Sequence, residues 1–252
     1  MQSVQNGLKI LNLFKTTKKT VMGTTEIAKN LDLPKSSVSR LLETLCQEGY
    51  LEKIGVKYRL GFSLLNLSGL IKYHMEIQRV ALEPFQKLVE KSGESAVVSV
   101  LEGARVIYIL KQVCKEYFQI RGDIGKGNPA FCSSSGKILL AHIPEKMVDD
   151  ILKYGMPKMG PNSLTEPGIL KSQLLEIKER GYSICIDEMH DDVISIAAPI
   201  RDYSESVVSA ITLIGPKQRM MDKSITEMVD LVVKTAEEIS SLLGYINFST
   251  AR

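Results

Sequence analysis

Residues 24–47, TTEIAKNLDLPKSSVSRLLETLCQ, restrict the fold more than any other stretch of the chain. Ile27, Ala28 and Leu31 mark the apolar side of one short helix. Val38, Leu41, Leu42 and Leu45 mark a second at the i, i+3, i+4, i+7 spacing of a helical face. Asp32 takes the turn between them, since a short polar side chain tolerates a left-handed backbone. Pro34 suits the start of the next helix, where a missing N–H does no harm. Thr24 or Thr25 is expected to cap the first helix. Two short helices joined by one turn, the second carrying Ser36, Ser37, Ser39, Arg40, Thr44 and Gln47 outside, predict a helix-turn-helix. Its second helix would enter a DNA major groove.

The flanking sequence extends this module. Val4, Leu8 and Leu11, with Ile10 and Phe14, form an amphipathic stripe that predicts a helix over 3–15. Two short alternating runs, 50–53 and 57–61, surround Ile54-Gly55-Val56 and predict a β-hairpin, the wing of a winged helix-turn-helix. Arg40 is the candidate for a base contact, because its guanidinium can pair bidentately with guanine. Lys35, Ser36 and Ser37 lie at a helix N-terminus, which favours phosphate. Thr25, Ser39 and Thr44 join the DNA-facing set, and Lys53, Lys57 and Arg59 of the wing would position the backbone. Charge agrees: residues 1–72 hold 11 Lys and Arg against 5 Asp and Glu, whereas residues 73–252 are slightly acidic, 21 against 24.

Residues 62–78, FSLLNLSGLIKYHMEIQ, are too apolar for a free linker and predict a helix that joins two domains and packs on a partner subunit. From 79 to 246 the pattern turns to α+β. Apolar runs at 95–101 and 106–113 around Glu102-Gly103-Ala104-Arg105 predict a hairpin, with further strands at 182–186, 193–200 and 206–214. Helices are expected at 80–91, 133–142, 145–154, 169–180 and 224–243. Neighbouring strands with helices around them imply an antiparallel sheet flanked by helices, a ligand-sensing architecture.

Several chemistries are excluded or set aside. Cys46, Cys114, Cys132 and Cys185 form no C-x-x-C pair and stand far from His at metal-ligand spacing, which implies reduced thiols and no metal or other cofactor. No apolar run reaches the roughly 18 residues of a membrane span, and the N-terminus lacks a signal-peptide pattern, so a cytoplasmic protein without a membrane partner is expected. Ser134-Ser135-Gly136-Lys137 matches S-x-x-K, but the companion S-D-N and K-T-G motifs of serine acylases are missing. A small hydrolase using Ser134 or Ser135 is therefore the alternative from another class, and an architectural DNA-binding protein without a ligand is a third. Asp187, Glu188, His190, Asp191 and Asp192 read as a solvated acidic loop. Residues 132–136 have a physical use of their own, because small hydroxyl residues open a helix whose N-terminus favours an anion such as a carboxylate.

Together these blocks resemble the IclR family of bacterial transcriptional regulators. The likeness rests on TTEIAKNLDLPKSSVSRLLETLCQEGYLEK and YRLG at the N-terminus. In the body it rests on SGESAVVSVLEG (92–103), FCSSSGKILLA (131–141), RGYSICIDE (180–188), IAAPIRD (196–202) and ITLIGP (211–216). The resemblance implies a winged helix-turn-helix over 1–61, a linker and dimerisation helix over 62–78, and a GAF/PAS-like effector domain over 79–246. It implies a homodimer or homotetramer on palindromic double-stranded operator DNA, acting without catalysis as a repressor that answers to a small organic acid or sugar acid. The family's pocket positions fall on Ser134, Ser135, Cys185, Ser195 and Thr212. Ser195 stands where Cys is frequent and Asp192 where Gly is frequent, so the resemblance does not transfer the identity of the ligand.

Overall fold

A computed structural model describes residues 2–17, 19–70, 72–114, 124–125 and 127–246, without the side chains of 68–70 and 72–75. The chain divides into two compact units, Met1–Met75 and Glu76–Arg252.

The first unit contains α1 (Gln2–Thr17), β1 (Met22–Gly23), α2 (Thr24–Leu31), α3 (Lys35–Gln47), β2 (Leu51–Ile54), β3 (Lys57–Leu60) and α4 (Ser63–Leu70). The three strands form one antiparallel sheet in the order β1-β3-β2. The two-residue strand β1 is too short to show in a sequence pattern. Asp32 ends α2 in the left-handed conformation (φ 51°, ψ 49°) and its N–H returns to the Ala28 carbonyl, as the turn requires. Gly23, not Thr24 or Thr25, occupies the N-cap of α2, and no side chain caps it. The core joins Ile10 and Phe14 of α1, Met22, Ile27, Val38, Leu42, Leu51 and Tyr58. Ile10, Ile27, Val38 and Leu42 are fully buried, each contributing roughly 1.5–3 kcal/mol by burial. The stripe expected on α1 is displaced. Asn6, Gly7, Ile10, Leu13 and Phe14 face the core, while Val4 and Leu8 are exposed, because the helix uses the Ile10–Phe14 i, i+4 ridge instead.

The second unit begins within α5 (Lys72–Ser92), which is continuous across the junction expected at 78/79. Within the span 62–78, residues 63–70 are helical as α4 and 72–78 as the start of α5, with residue 71 outside the described residues. Then follow β4 (Ser95–Glu102), β5 (Arg105–Gln112), β6 (Gly127–Pro129), a 3-10 turn (Ala130–Cys132) and α6 (Ser134–Ala141). After these come α7 (Glu145–Leu152), α8 (Pro167–Arg180), β7 (Ser183–Ile186), β8 (Val193–Arg201), β9 (Val207–Pro216), α9 (Lys217–Asp222) and α10 (Ile225–Leu242). The six strands make one antiparallel sheet in the order β6-β5-β4-β9-β8-β7.

Both faces of this sheet are covered. Val98, Val100, Ile194, Ile196, Ile211 and Leu213 point one way and pack with α5 and α10 through Phe85, Leu88, Val232 and Ile239. The alternate residues, Val106, Ala197 and Ala210, point the other way, toward Ile138 and Leu140 of α6 and Leu170, Leu174 and Ile177 of α8. That second face is rich in small residues (Ser99, Ser195, Ala197, Ala210, Thr212). Small side chains let α6 lie close to the strands. They also leave room beside its N-terminal end, where the sheet is lined by Val97, Tyr108 and Ile214.

Candidate DNA-binding face and effector cavity

The exposed side of α3 follows from its apolar period. With Val38 and Leu42 buried, Lys35, Ser36, Ser37, Ser39, Arg40 and Thr44 are all exposed. Thr25, near the start of α2, is exposed as well. Thr44 Oγ1 donates to the Arg40 carbonyl at 3.1 Å, which ties that hydroxyl to its own helix. On the hairpin Lys53, Lys57 and Arg59 are exposed. Arg59 is held by Glu52 directly across the ladder, with NH2 2.8 Å from Oε2. This pair fixes the arginine's direction and offsets one of the wing's three positive charges. The structure thus brings every candidate of the first unit onto the outside of α2, α3 and the wing. The Glu52–Arg59 pair is a cross-strand feature that the alternating sequence already allowed.

In the second unit Ser134, Ser135, Cys185, Ser195 and Thr212 line one cavity of about 410 Å³, within the size range of small-ligand sites. Three elements meet there. The first is the N-terminal end of α6. Ser133 caps it, its Oγ accepting from Gly136 N at 3.2 Å and donating to the Pro129 carbonyl at 3.1 Å. The cap's hydroxyl is thereby used within the protein. Gly136 is required, because a Cβ there would stand 2.1 Å from the Ala130 carbonyl oxygen; the 3-10 turn presses directly on the helix. The second element is the sheet, through Tyr108, Cys185, Val193, Ser195, Thr212 and Ile214. The third is the loop after β7, through Glu188, Met189, His190 and Asp191.

The polar atoms of this cavity are unevenly satisfied. Ser134 Oγ and Thr212 Oγ1, on residues 1% and 2% exposed, have no hydrogen-bond partner. Buried hydroxyls are ordinarily bonded, so a pair left open in a cavity calls for an occupant. The walls are electrically quiet. Burial pushes the Cys132 thiol up to about 12, with Glu188 adding to the effect, and burial likewise raises Cys185 far above an ordinary thiol. Burial also raises the Tyr108 phenol, offset in part by its hydrogen bond with Asn128. Both thiols stay protonated at neutral pH and act as small apolar surface.

The loop after β7 matches the solvated acidic loop expected from its composition only at the exposed Asp191 and Asp192. Asp187 and Glu188 are buried, 4% and 7% exposed. Lys137, fully buried on α6, donates to Glu188 Oε1 and to Gln173 Oε1 of α8, each at 2.6 Å. Lys217 pairs with Asp187 Oδ2 and holds that carboxyl below its usual range. The S-x-x-K pattern therefore delivers a structural lysine, and the acidic residues are its counter-charges. The run 187–192 alone could not reveal this, because the partners lie 51 and 30 residues away. Tyr108, Met189, Val193 and Ile214 are lining residues that motif reading missed; strand alternation about Thr212 and Ser195 could have indicated the last two. No group of three or more His, Cys, Asp or Glu among the described residues could hold a metal ion. No helix among them is long and apolar enough to cross a membrane.

A DNA-facing helix-turn-helix joined to an antiparallel ligand domain defines a class of one-component regulators, and comparison with known proteins places the chain within it. The model of the bacterial transcriptional regulator IclR C-terminal domain matches residues 71–241, and that of the IclR helix-turn-helix domain matches residues 3–55. The chain belongs to the IclR family of bacterial transcriptional regulators. It is 29% identical to the HTH-type transcriptional repressor AllR of Klebsiella pneumoniae, over 96% of this chain and 90% of that one. It is 28% identical to the transcriptional repressor IclR of Escherichia coli, covering 97% and 90%. Among solved structures, an IclR homolog of Microbacterium hydrocarbonoxydans complexed with 4-hydroxybenzoate has the same fold (TM-score 0.85, 24% identity, covering 96% and 98%). So does the IclR of Thermotoga maritima (TM-score 0.79, 25% identity, covering 97% and 100%). The chain is thus a transcriptional regulator with an N-terminal helix-turn-helix and a C-terminal effector-binding domain, and the relatives it matches are regulators, not enzymes.

Proposed function

We propose that this regulator is a cytoplasmic repressor whose hold on operator DNA is set by a small organic acid or sugar acid in the cavity of the second unit. The carrying observation is the pair of buried, unpartnered hydroxyls that line the cavity, Ser134 Oγ at the start of α6 and Thr212 Oγ1 on β9. The helix start supplies positive potential for a carboxylate, Ser134, Ser135, Ser195 and Thr212 supply hydroxyls, and Cys185 closes the wall. A neighbour of the same fold holds 4-hydroxybenzoate, an acid of suitable size, which supports the reading. On the DNA side Arg40 reads a base, with Thr25, Lys35, Ser36, Ser37, Ser39, Thr44, Lys53, Lys57 and Arg59 as the surrounding contacts.

The operator is double-stranded and palindromic and the protein a homodimer or homotetramer. Paired recognition helices must meet half-sites one or more turns of roughly 34 Å apart, and exposed Phe62, Leu65 and Leu67 around the start of α4 offer apolar surface for association. The winged domain ends at about residue 61, the linker covers 62–78 and the effector domain 79–246.

The test is a thermal-shift screen of small organic and sugar acids, with 4-hydroxybenzoate among them, on the full chain and on Ser134→Trp. Any acid that binds the native state raises its melting temperature by mass action. At least one acid should do so in the wild type and none in Ser134→Trp. A stabilising acid that acts equally on both proteins would refute the site.

A further inference from the structure

Outside the cavity lining, three cations of the second unit stand close together on and just after one short element. α9 follows β9 directly and carries Lys217 and Arg219, with Lys223 just past its end. At one end, the Lys217 N–H donates to the Asp192 carbonyl at 2.9 Å and its ammonium pairs with Asp187, so α9 grips both ends of the loop 187–192 that lines the cavity. Asp187 and Asp192 each hold a left-handed backbone, φ 57° and 60°, a conformation that costs energy for a non-glycine residue. At the other end, Arg219 forks onto Glu94, Nε to Oε1 and NH2 to Oε2, both at 2.7 Å. Lys223 adds a contact to Glu94 Oε1 at 2.9 Å and one to the Ser92 carbonyl, the last residue of α5, at 2.7 Å. Glu94 is fully buried. The join is close: a Cβ at Gly215 would stand 2.5 Å from Glu94 Oε2 and 2.9 Å from Met220 Cγ.

We infer that α9 is the mechanical link between the cavity loop and the C-terminal end of α5, with Lys217, Arg219 and Lys223 as its positioning residues. The inference rests on the cavity being the effector site. The reasoning is geometric. Among the described residues, α9 and Lys223 just after it are ion-paired to Asp187, at the head of the loop that an occupant must touch, and to Glu94, two residues past the end of α5. Charge-assisted bonds at both ends are stronger than neutral ones, and the bidentate Arg219 fork adds a fixed geometry that the ammonium contacts of Lys217 and Lys223 lack. A shift of the loop therefore moves α9, and α9 moves Glu94 and Ser92. Arg219 is bidentate, so the far end resists rotation, while the near end holds the loop by one ammonium and one backbone N–H.

The experiment uses hydrogen–deuterium exchange on the full chain, with Asp187→Asn as the perturbation. Asn keeps the left-handed backbone and one carbonyl oxygen while removing the charge that Lys217 grips. Exchange should rise at least about threefold both in 187–192 and in 88–94, and Lys217→Met should give the same pattern while Lys217→Arg restores protection. A tryptophan plug in the cavity, Ser134→Trp, replaces an unidentified occupant: it should alter exchange in 88–94 in the otherwise native chain but not together with Lys217→Met. Changes confined to 187–192 and 217, or a plug effect on 88–94 that persists without Lys217, would overturn the link. Neither readout uses an acid, so a failed acid screen with an intact exchange pattern sinks the effector reading and leaves the link standing.

Discussion

Replacing Lys137 with Met tests the buried ion pair on which the cavity's back wall depends. Lys137 and Glu188 have side-chain exposures of 0% and 8%, so water cannot take over when one partner goes. Methionine fills nearly the same volume, which leaves charge as the main change. Removing one member of such a pair strands the other without compensation and costs about 3–5 kcal/mol. For a domain of this size each kcal/mol is worth roughly 2–4 °C, so the melting temperature should fall by about 10 °C. The double change Lys137→Met/Glu188→Leu removes the stranded carboxylate. What remains is Gln173, deprived of its partner at 2.6 Å, at a cost of about 1 kcal/mol. The double variant should therefore recover most of the loss in scanning calorimetry. A single variant within about 2 °C of the wild type, or a double variant no more stable than the single, would show that the pair carries no such energy and that α6 holds the loop by packing alone.

Arg40→Ala should weaken binding to the promoter DNA the protein regulates by about 1–3 kcal/mol and relax preference at one base position, measured by gel shift at fixed salt; unchanged affinity would remove the base contact. His142 is held below its free value by burial, with Arg201 adding to the effect, its Nδ1 on the Ile138 carbonyl and its Nε2 facing Arg201. Folding thus disfavours the charged imidazole, so this stability is complete above its free value of about 6.5 and is lost as pH falls through the folded-state value; His142→Gln should flatten that decline, and an unaltered pH profile of the melting temperature would contradict it. Thr212→Val should raise the half-saturating concentration of a stabilising acid by roughly two- to tenfold, the worth of one hydrogen bond, without changing the maximal release of DNA, whereas Met189→Ala should lower that maximum; identical titration curves for the two variants would refute the division.

How far the sequence could be read depended on whether the deciding interaction was local. The turn at Asp32, the exposed row Lys35–Arg40, the strands of the large sheet and the cap at Ser133 follow from residues within one or two turns of each other, and the structure has them. Elements were missed where they were too short to show a period: β1 with two residues, β6 with three and α9 with six. The stripe on α1 was misplaced because Val4, Leu8 and Leu11 form as good a ridge in sequence as Ile10 and Phe14, and only the packing of α2 and α3 decides between them. The acidic run at 187–192 was misread for the same reason, since nothing nearby announces that Lys137 and Lys217 will meet it. Four small residues on the sheet face, Ser195, Ala197, Ala210 and Thr212, made the cavity possible, but small residues are also ordinary filler. Their meaning emerges once α6 lies across them.

The division between Thr212 and Met189 follows from what each wall can do. Thr212 sits in β9 with ladder partners on both sides, Val97 of β4 and Ala197 of β8, so its backbone cannot move without breaking two antiparallel registers. Such a rigid wall offers the same hydrogen bond in every state of the domain. A ligand that binds two states equally shifts neither, however tightly it is held, so the sheet side can supply affinity but not switching. The loop side differs. Its backbone takes the left-handed conformation at Asp187 and Asp192, and outside any strand ladder it is anchored by ion pairs to Lys137 and Lys217 together with backbone hydrogen bonds from Gly160, Asn162 and Lys217. A segment outside the ladder can shift without breaking a sheet register. On the proposed reading, the differential affinity that a metabolite-controlled regulator needs comes from contacts with residues 188–191, and the open hydroxyls of Ser134 and Thr212 select which molecules enter.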